Sequence, residues 1–138
     1  MLDKIYKETG IKYNSVNDID WEMLSYDKNL SEDFIREFKN KVEWGYISIY
    51  QKLSEDFIKE FQDKVDWYNI SIYQNLSENF IREFQNKINW DYISINQNLS
   101  EDFIREFKDK VWWGLISKYQ KLSENFISEF NDVLNLKS

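Results

Sequence analysis

The side chains in this sequence best equipped for chemistry are its carboxylates. Adjacent acidic pairs recur at Glu32/Asp33, Glu55/Asp56 and Glu101/Asp102. Two acids divide the roles of general acid and general base when they face one reacting centre from different environments. Neighbouring residues on a helix point about 100° apart, so these pairs diverge. Their simpler role is to set negative charge against the positive end of a helix dipole. Histidine and cysteine are absent, which removes the imidazole base, the thiol nucleophile, the Cys/His zinc site, the haem ligand and the disulfide. No phosphate-binding loop or calcium loop has the required spacing. Two residues depart from their counterparts: Trp112, where other units carry Glu43, Asp66 and Asn89, and Lys118, where they carry isoleucine. Neither joins a nucleophile to a base. The expectation is a protein that is not an enzyme and needs no cofactor or metal.

Charge bears on the partner. The 138 residues include 25 acidic and 18 basic side chains, a net charge of −7, and 18% are aromatic. A surface that binds phosphate is basic. Here the successive pieces bounded at residues 29, 52, 75, 98 and 121 carry −2, 0, −3, −1, +1 and −2. Direct nucleic-acid binding is therefore not expected. An acidic rod fits the converse role, its carboxylates standing in for phosphates inside a basic channel of another protein. The plainer reading of any one acidic residue is that it keeps the chain soluble. The opening MLDKIYKETG lacks an apolar run and no stretch is long enough to span a membrane, so neither a signal peptide nor membrane association is expected.

These residues are positioned by a repeat. Leu30, Leu53, Leu76, Leu99 and Leu122 are spaced by 23, as are Trp21, Trp44, Trp67, Trp90 and Trp113. The ten phenylalanines occupy two positions of the unit, as in Phe34/Phe38 and Phe80/Phe84. Four full units cover 30–121 and a partial unit covers 122–138. Residues 1–29 form a divergent N-terminal cap, in which Ile19 and Trp21 sit where Val42 and Trp44 do, and Leu136 replaces the tryptophan at the other end. Units of this size cannot bury an apolar face alone and must stack. One domain without a linker is expected.

The first segment of each unit predicts a helix. Ser31, Ser54, Ser77, Ser100 and Ser123 are N-cap candidates followed by acidic residues. Leu30 and Ile35 fit a hydrophobic staple, and Phe34, Ile35, Phe38 and Val42 share one face. Glu32 with Arg36 and Glu37 with Lys41 form acid-first pairs at i,i+4. The second segment, such as 66–74, reads in two ways. As a helix it is capped by Asp66 and turns Trp67, Ile70 and Tyr73 to the core. As a strand it resembles a leucine-rich repeat. Lys118 at the inward strand position, Lys52 and Lys121 at the asparagine-ladder position, and the bulk of tryptophan favour the helix. The fold class is therefore all-α, a short α-solenoid of two-helix repeats of 23 residues; the alternative is an α/β leucine-rich-repeat-like solenoid.

On the two-helix reading the outward positions vary while the core positions stay nearly fixed. They hold Gly45, Tyr46 and Ile49; Tyr68, Asn69 and Ile72; Asp91, Tyr92 and Ile95; and Gly114, Leu115 and Lys118. An exposed apolar stripe carrying tyrosines is a candidate partner-binding surface. Alternatively, the isoleucines pack against the next unit.

Over residues 19–138 the units resemble the short W-x-x-I-S-x-Y-Q-x-L-S-E-x-F-I-x-E-F arrays encoded by large DNA viruses and by phages or mobile elements of AT-rich bacteria. The residues that carry the likeness include Trp67, Ile70, Ser71, Tyr73, Gln74, Leu76, Ser77, Glu78, Phe80, Ile81, Glu83 and Phe84; Asn96 departs from the tyrosine. The resemblance brings no catalytic residue with it. By analogy of size and charge it implies a protein-binding inhibitor of a host defence protein, such as an anti-CRISPR protein, acting in the cytoplasm of the host cell. A structural or adaptor scaffold and an acidic nucleic-acid mimic are the alternatives.

Overall fold

The computed structural model describes residues 1–27 and 29–134; the expectation at Leu136 lies outside them. Among the described residues there are twelve α-helices, one 3₁₀ turn and no strand. The fold is a short all-α solenoid of two-helix repeats, and the leucine-rich-repeat alternative is excluded. Two compact units divide the chain, residues 1–69 and 70–138.

The first unit holds α1 (Leu2–Thr9), the 3₁₀ turn Val16–Asp18, α2 (Trp21–Asp27), α3 (Glu32–Glu37), α4 (Trp44–Tyr50), α5 (Glu55–Glu60) and the start of α6 (Trp67–Tyr73). The second holds the rest of α6, then α7 (Glu78–Glu83), α8 (Trp90–Asn96), α9 (Glu101–Glu106), α10 (Trp113–Tyr119), α11 (Glu124–Glu129) and α12 (Asn131–Leu134). Helices of six or seven residues are not stable alone in water, so packing must hold them. Helix α2 packs on α4 in one unit and α8 on α10 in the other.

All five serines cap as expected. Ser31, Ser54, Ser77, Ser100 and Ser123 each accept from the phenylalanine N–H three residues on. The first helix of a repeat is shorter than the apolar spacing suggests. In α3 the backbone leaves the helix at Phe38, with φ −107° and ψ 31°. One further turn, closed by Val42 N–H on the Phe38 carbonyl at 3.1 Å, still delivers Val42 to the core. The tryptophan opening each second helix ties it back to that turn. The indole N–H of Trp44 donates to Lys39 C=O at 2.9 Å, and that of Trp90 to Gln85 C=O at 3.0 Å. Its ring meets a phenylalanine of the next repeat, Trp44 to Phe61 at 5.1 Å between centroids and Trp90 to Phe107 at 5.1 Å. Nine of the ten phenylalanines are buried and Phe130 is half-buried.

The N-terminal piece is a helix pair of its own. Helix α1 buries Ile5 and ends at Gly10, whose φ of 75° lies in the left-handed region that glycine tolerates. Ile19 is buried and Trp21 opens α2, the places that Val42 and Trp44 hold one repeat on.

Candidate protein-binding surface

The outer face of the second helices is set by what their inner face buries. Ile47, Ile70, Ile93 and Ile116 are fully buried, and so are Ser25, Ser48, Ser71 and Ser94. The inward direction thus runs through the isoleucine three residues after the tryptophan and the serine four after it. This corrects the expected core face of Trp67, Ile70 and Tyr73. Trp67 is half-buried and Tyr73 is 55% exposed, as are Tyr50 at 56% and Tyr119 at 49%. The tyrosine six residues after the tryptophan lies roughly 100° away from the centre of the buried arc. The repeated serine was the available signal, since a small residue at a fixed place in every unit marks close backbone approach.

The serines are joints. Ser48 Oγ donates to the Trp44 carbonyl at 2.7 Å and accepts Asp66 N–H, which opens the next second helix, at 3.0 Å. Ser94 does the same with Trp90 C=O at 2.7 Å and Trp112 N–H at 3.2 Å. The repeated glutamines, buried at Gln51 and Gln97 and half-buried at Gln120, are a second joint. Gln97 Oε1 accepts Leu76 N–H at 3.1 Å, while its Nε2 donates to Ser71 C=O at 3.1 Å and Gln74 C=O at 2.8 Å. Gln120 repeats this with Leu99, Ser94 and Gln97. In the first unit Gln51 bridges Leu30 N–H and Ser25 C=O at 3.0 and 2.9 Å.

A carboxylate and arginine ladder runs along the first helices. The expected pairs within a helix are replaced by pairs between repeats. Glu32 accepts from Ser54 N–H and Oγ at 2.6 and 2.9 Å. Arg36 forks onto Glu60, both bonds 2.9 Å, and also reaches Asp33 at 2.6 Å. Glu37 pairs with Lys4. In the second unit Glu78 and Glu101 hold Ser100 and Ser123, while Arg82 and Arg105 hold Glu106 and Glu129. Each of these arginines also lies over a phenylalanine ring: Arg36 over Phe57 at 5.6 Å, Arg82 over Phe103 at 5.5 Å and Arg105 over Phe126 at 5.1 Å. The hydrogen bond from Arg36 holds Glu60 below the usual carboxylate range, Arg82 does so for Glu106, and Ser123 N–H for Glu101. The partner arginines are raised in turn. Much of the acidic charge is thus engaged in holding repeats together.

The expected partner-binding residues fall into two groups. Tyr68, Asp91 and Lys118 are exposed. Tyr46, Ile49, Asn69, Ile72, Tyr92, Ile95 and Leu115 are half-buried. Further exposed tyrosines of the second helices were omitted from the outward set, Tyr26 and Tyr50 in the first unit and Tyr73 and Tyr119 in the second. In the first unit the two sets merge. Tyr26, Tyr46 and Tyr50 touch one another, with centroids 5.4 to 6.1 Å apart. Tyr46 O–H donates to Glu22 Oε1 at 3.3 Å, and that charge raises the Tyr46 pKa. Asp66 caps α6 as expected, accepting Tyr68 N–H at 3.1 Å, and Asn89 accepts Tyr92 N–H at 3.2 Å.

Among the described residues no helix is long and apolar enough to cross a membrane, and no three His, Cys, Asp or Glu side chains gather where they could hold a metal ion. Comparison with family models, curated proteins and solved structures gives no match.

Proposed function

We propose that this chain is a non-enzymatic protein-binding solenoid that presents the outer face of its second helices to another protein. The observation that carries the reading is the exposure of large apolar side chains at fixed places on that face, Tyr50, Tyr73 and Tyr119, above a core that the same helices complete with isoleucine and serine. Tyrosine gives a large contact area at little entropic cost and is frequent at binding hot spots. The favoured role is a phage- or virus-type inhibitor that covers a surface of a host defence protein, anti-CRISPR proteins among the class. Its support is the resemblance of the repeat, together with size and charge. A structural or adaptor scaffold is the alternative.

Nucleic-acid mimicry has less support. A mimic needs carboxylates turned outward, and Glu32, Glu60, Glu78, Glu101, Glu106 and Glu129 are bonded to neighbouring repeats. Affinity capture on the intact chain from a host lysate, followed by mass spectrometry, tests the reading. A nuclease or other nucleic-acid effector, released by Tyr50→Ser or Tyr92→Ala and little affected by salt, supports inhibition through this face. Virion components point to the scaffold. Binding that collapses in 1 M salt, where screening shortens to about 3 Å, and on changing Asp56, Asp63 and Asp66 to Asn, would restore the mimic.

A further inference from the structure

We infer that the tyrosine patch of the first unit, Tyr26, Tyr46 and Tyr50 edged by Glu22, is a docking surface for an arginine-bearing segment of a protein partner. The inference rests on the protein-binding reading above and narrows it to one patch and one partner chemistry. The three rings lie against one another at 5.4, 6.1 and 6.1 Å, so much of their order exists before binding. Tyr26 and Tyr50 are exposed. Gly45, beside Tyr46, leaves the flank open, because a Cβ there would meet no atom within 4 Å.

Charge complementarity identifies the occupant. Residues 1–69 carry 15 acidic and 10 basic side chains. Glu22, Asp27 and Glu43 are exposed, and Glu22 stands at the patch edge, hydrogen-bonded to Tyr46. Aromatic faces beside a carboxylate suit a guanidinium, which stacks on the ring while its N–H fork meets the acid. The chain itself pairs these groups in this way: Arg36 lies 5.6 Å over Phe57 while it forks onto Glu60. All three arginines of the sequence, Arg36, Arg82 and Arg105, are engaged in that ladder. The corresponding face of the second unit differs. Tyrosine gives way to Asn96, and Tyr119 already carries a cation, Lys118 Nζ at 5.3 Å from its centroid. Among the described residues no cation lies over the Tyr26, Tyr46 or Tyr50 ring of the first unit.

Selection of a random dodecapeptide library on the immobilised full chain tests this, with binding of the enriched peptides read by fluorescence anisotropy. Enriched peptides should carry arginine. Replacing that arginine by glutamine should weaken binding about 10-fold, and by lysine about 3-fold, as loss of the fork and the stacking requires. In the protein, the double change Tyr26→Ser and Tyr50→Ser should also cost about 10-fold, while Ile127→Ser, at an exposed apolar residue of α11, should leave affinity unchanged. Circular dichroism checks the fold of each variant, and Glu22→Gln, remote from the core, gives a second reading of the patch with an expected loss of about 3-fold. Peptides without arginine, or peptides that bind the Tyr26/Tyr50 variant undiminished, overturn the inference. If those peptides are instead released by Tyr92→Ser with Leu115→Ser, the protein-binding reading survives without it. If no peptide binds above background, both fall.

Discussion

Gln97 shows how little of each joint is apolar. Its buried amide meets one N–H and two carbonyls that would otherwise lie unpaired. Leaving a buried backbone group unsatisfied costs about 1–3 kcal/mol. Gln97→Leu, close in size, should therefore lower stability by about that amount in urea titration, and a neutral result would show that water replaces the amide. Phe103 is a contrasting case, an almost fully buried ring in contact with Trp90 and Phe107. Phe103→Ala should cost about 3–5 kcal/mol in the same titration. The phenylalanine pairs and the serine caps are legible in the sequence, because type and spacing together admit one use. The glutamine was not, since a polar residue of a periodic motif reads equally as surface. Tyr50, Tyr73 and Tyr119 were misplaced for the opposite reason: tryptophan, isoleucine and tyrosine share an apolar look, while the serine that directs the inner face looks polar.

At the scale of elements, the second segment was the ambiguous one. Trp90, Ile93 and Ile95 satisfy both a short helix and a strand of a leucine-rich repeat, and the observed helix α8 follows from its cap at Asn89 and from Ser94 and Gln97, which bond neighbouring backbone in the helical arrangement. The first helices were legible in kind, but their pairing was not. Local i,i+4 rules put Glu32 on Arg36, whereas stacking brings Ser54 and Glu60 within reach and both are better served there. That ladder makes stability depend on acid. Glu60, Glu101 and Glu106 ionise more readily in the folded chain than in the unfolded chain. The sign follows: their contribution is complete above the unfolded carboxylate pKa, about 4.3, and is lost as pH falls through their lower folded values. Melting temperature should thus be flat near neutrality and drop below about pH 4. Glu106→Gln should flatten part of that drop while changing the neutral melting temperature little, because exposed pairs contribute little. An unaltered acid transition in Glu106→Gln would remove the ladder from the account.

At the scale of the whole molecule, the period of 23 residues carried the architecture, because residues in one phase can stack only on their counterparts. What the period cannot convey is the role of the ends, where α1 supplies Glu8 to Ser31 and Lys4 to Glu37 from outside the repeat phase. Stability in such an array is approximately a sum over repeats and their interfaces. Removal of 76–98, one complete period inside the second unit, should then leave a folded chain of 115 residues from the original 138. The junction preserves the joints: Gln120 comes to the position of Gln97 opposite Ser71 and Gln74, and Trp112 N–H to that of Asn89 opposite Ser71 Oγ. Ellipticity per residue should be retained, with one urea transition whose m-value is lower by about one-sixth, in proportion to the surface exposed. Removal of 76–88 alone takes away Phe80, Ile81, Phe84 and Ile88, all buried, and leaves α6 and α8 as adjacent second helices without the first helix between them. That chain should lose its cooperative transition. If the whole-period deletion unfolds while the half-period deletion stays folded, the stacking unit is not the 23-residue helix pair.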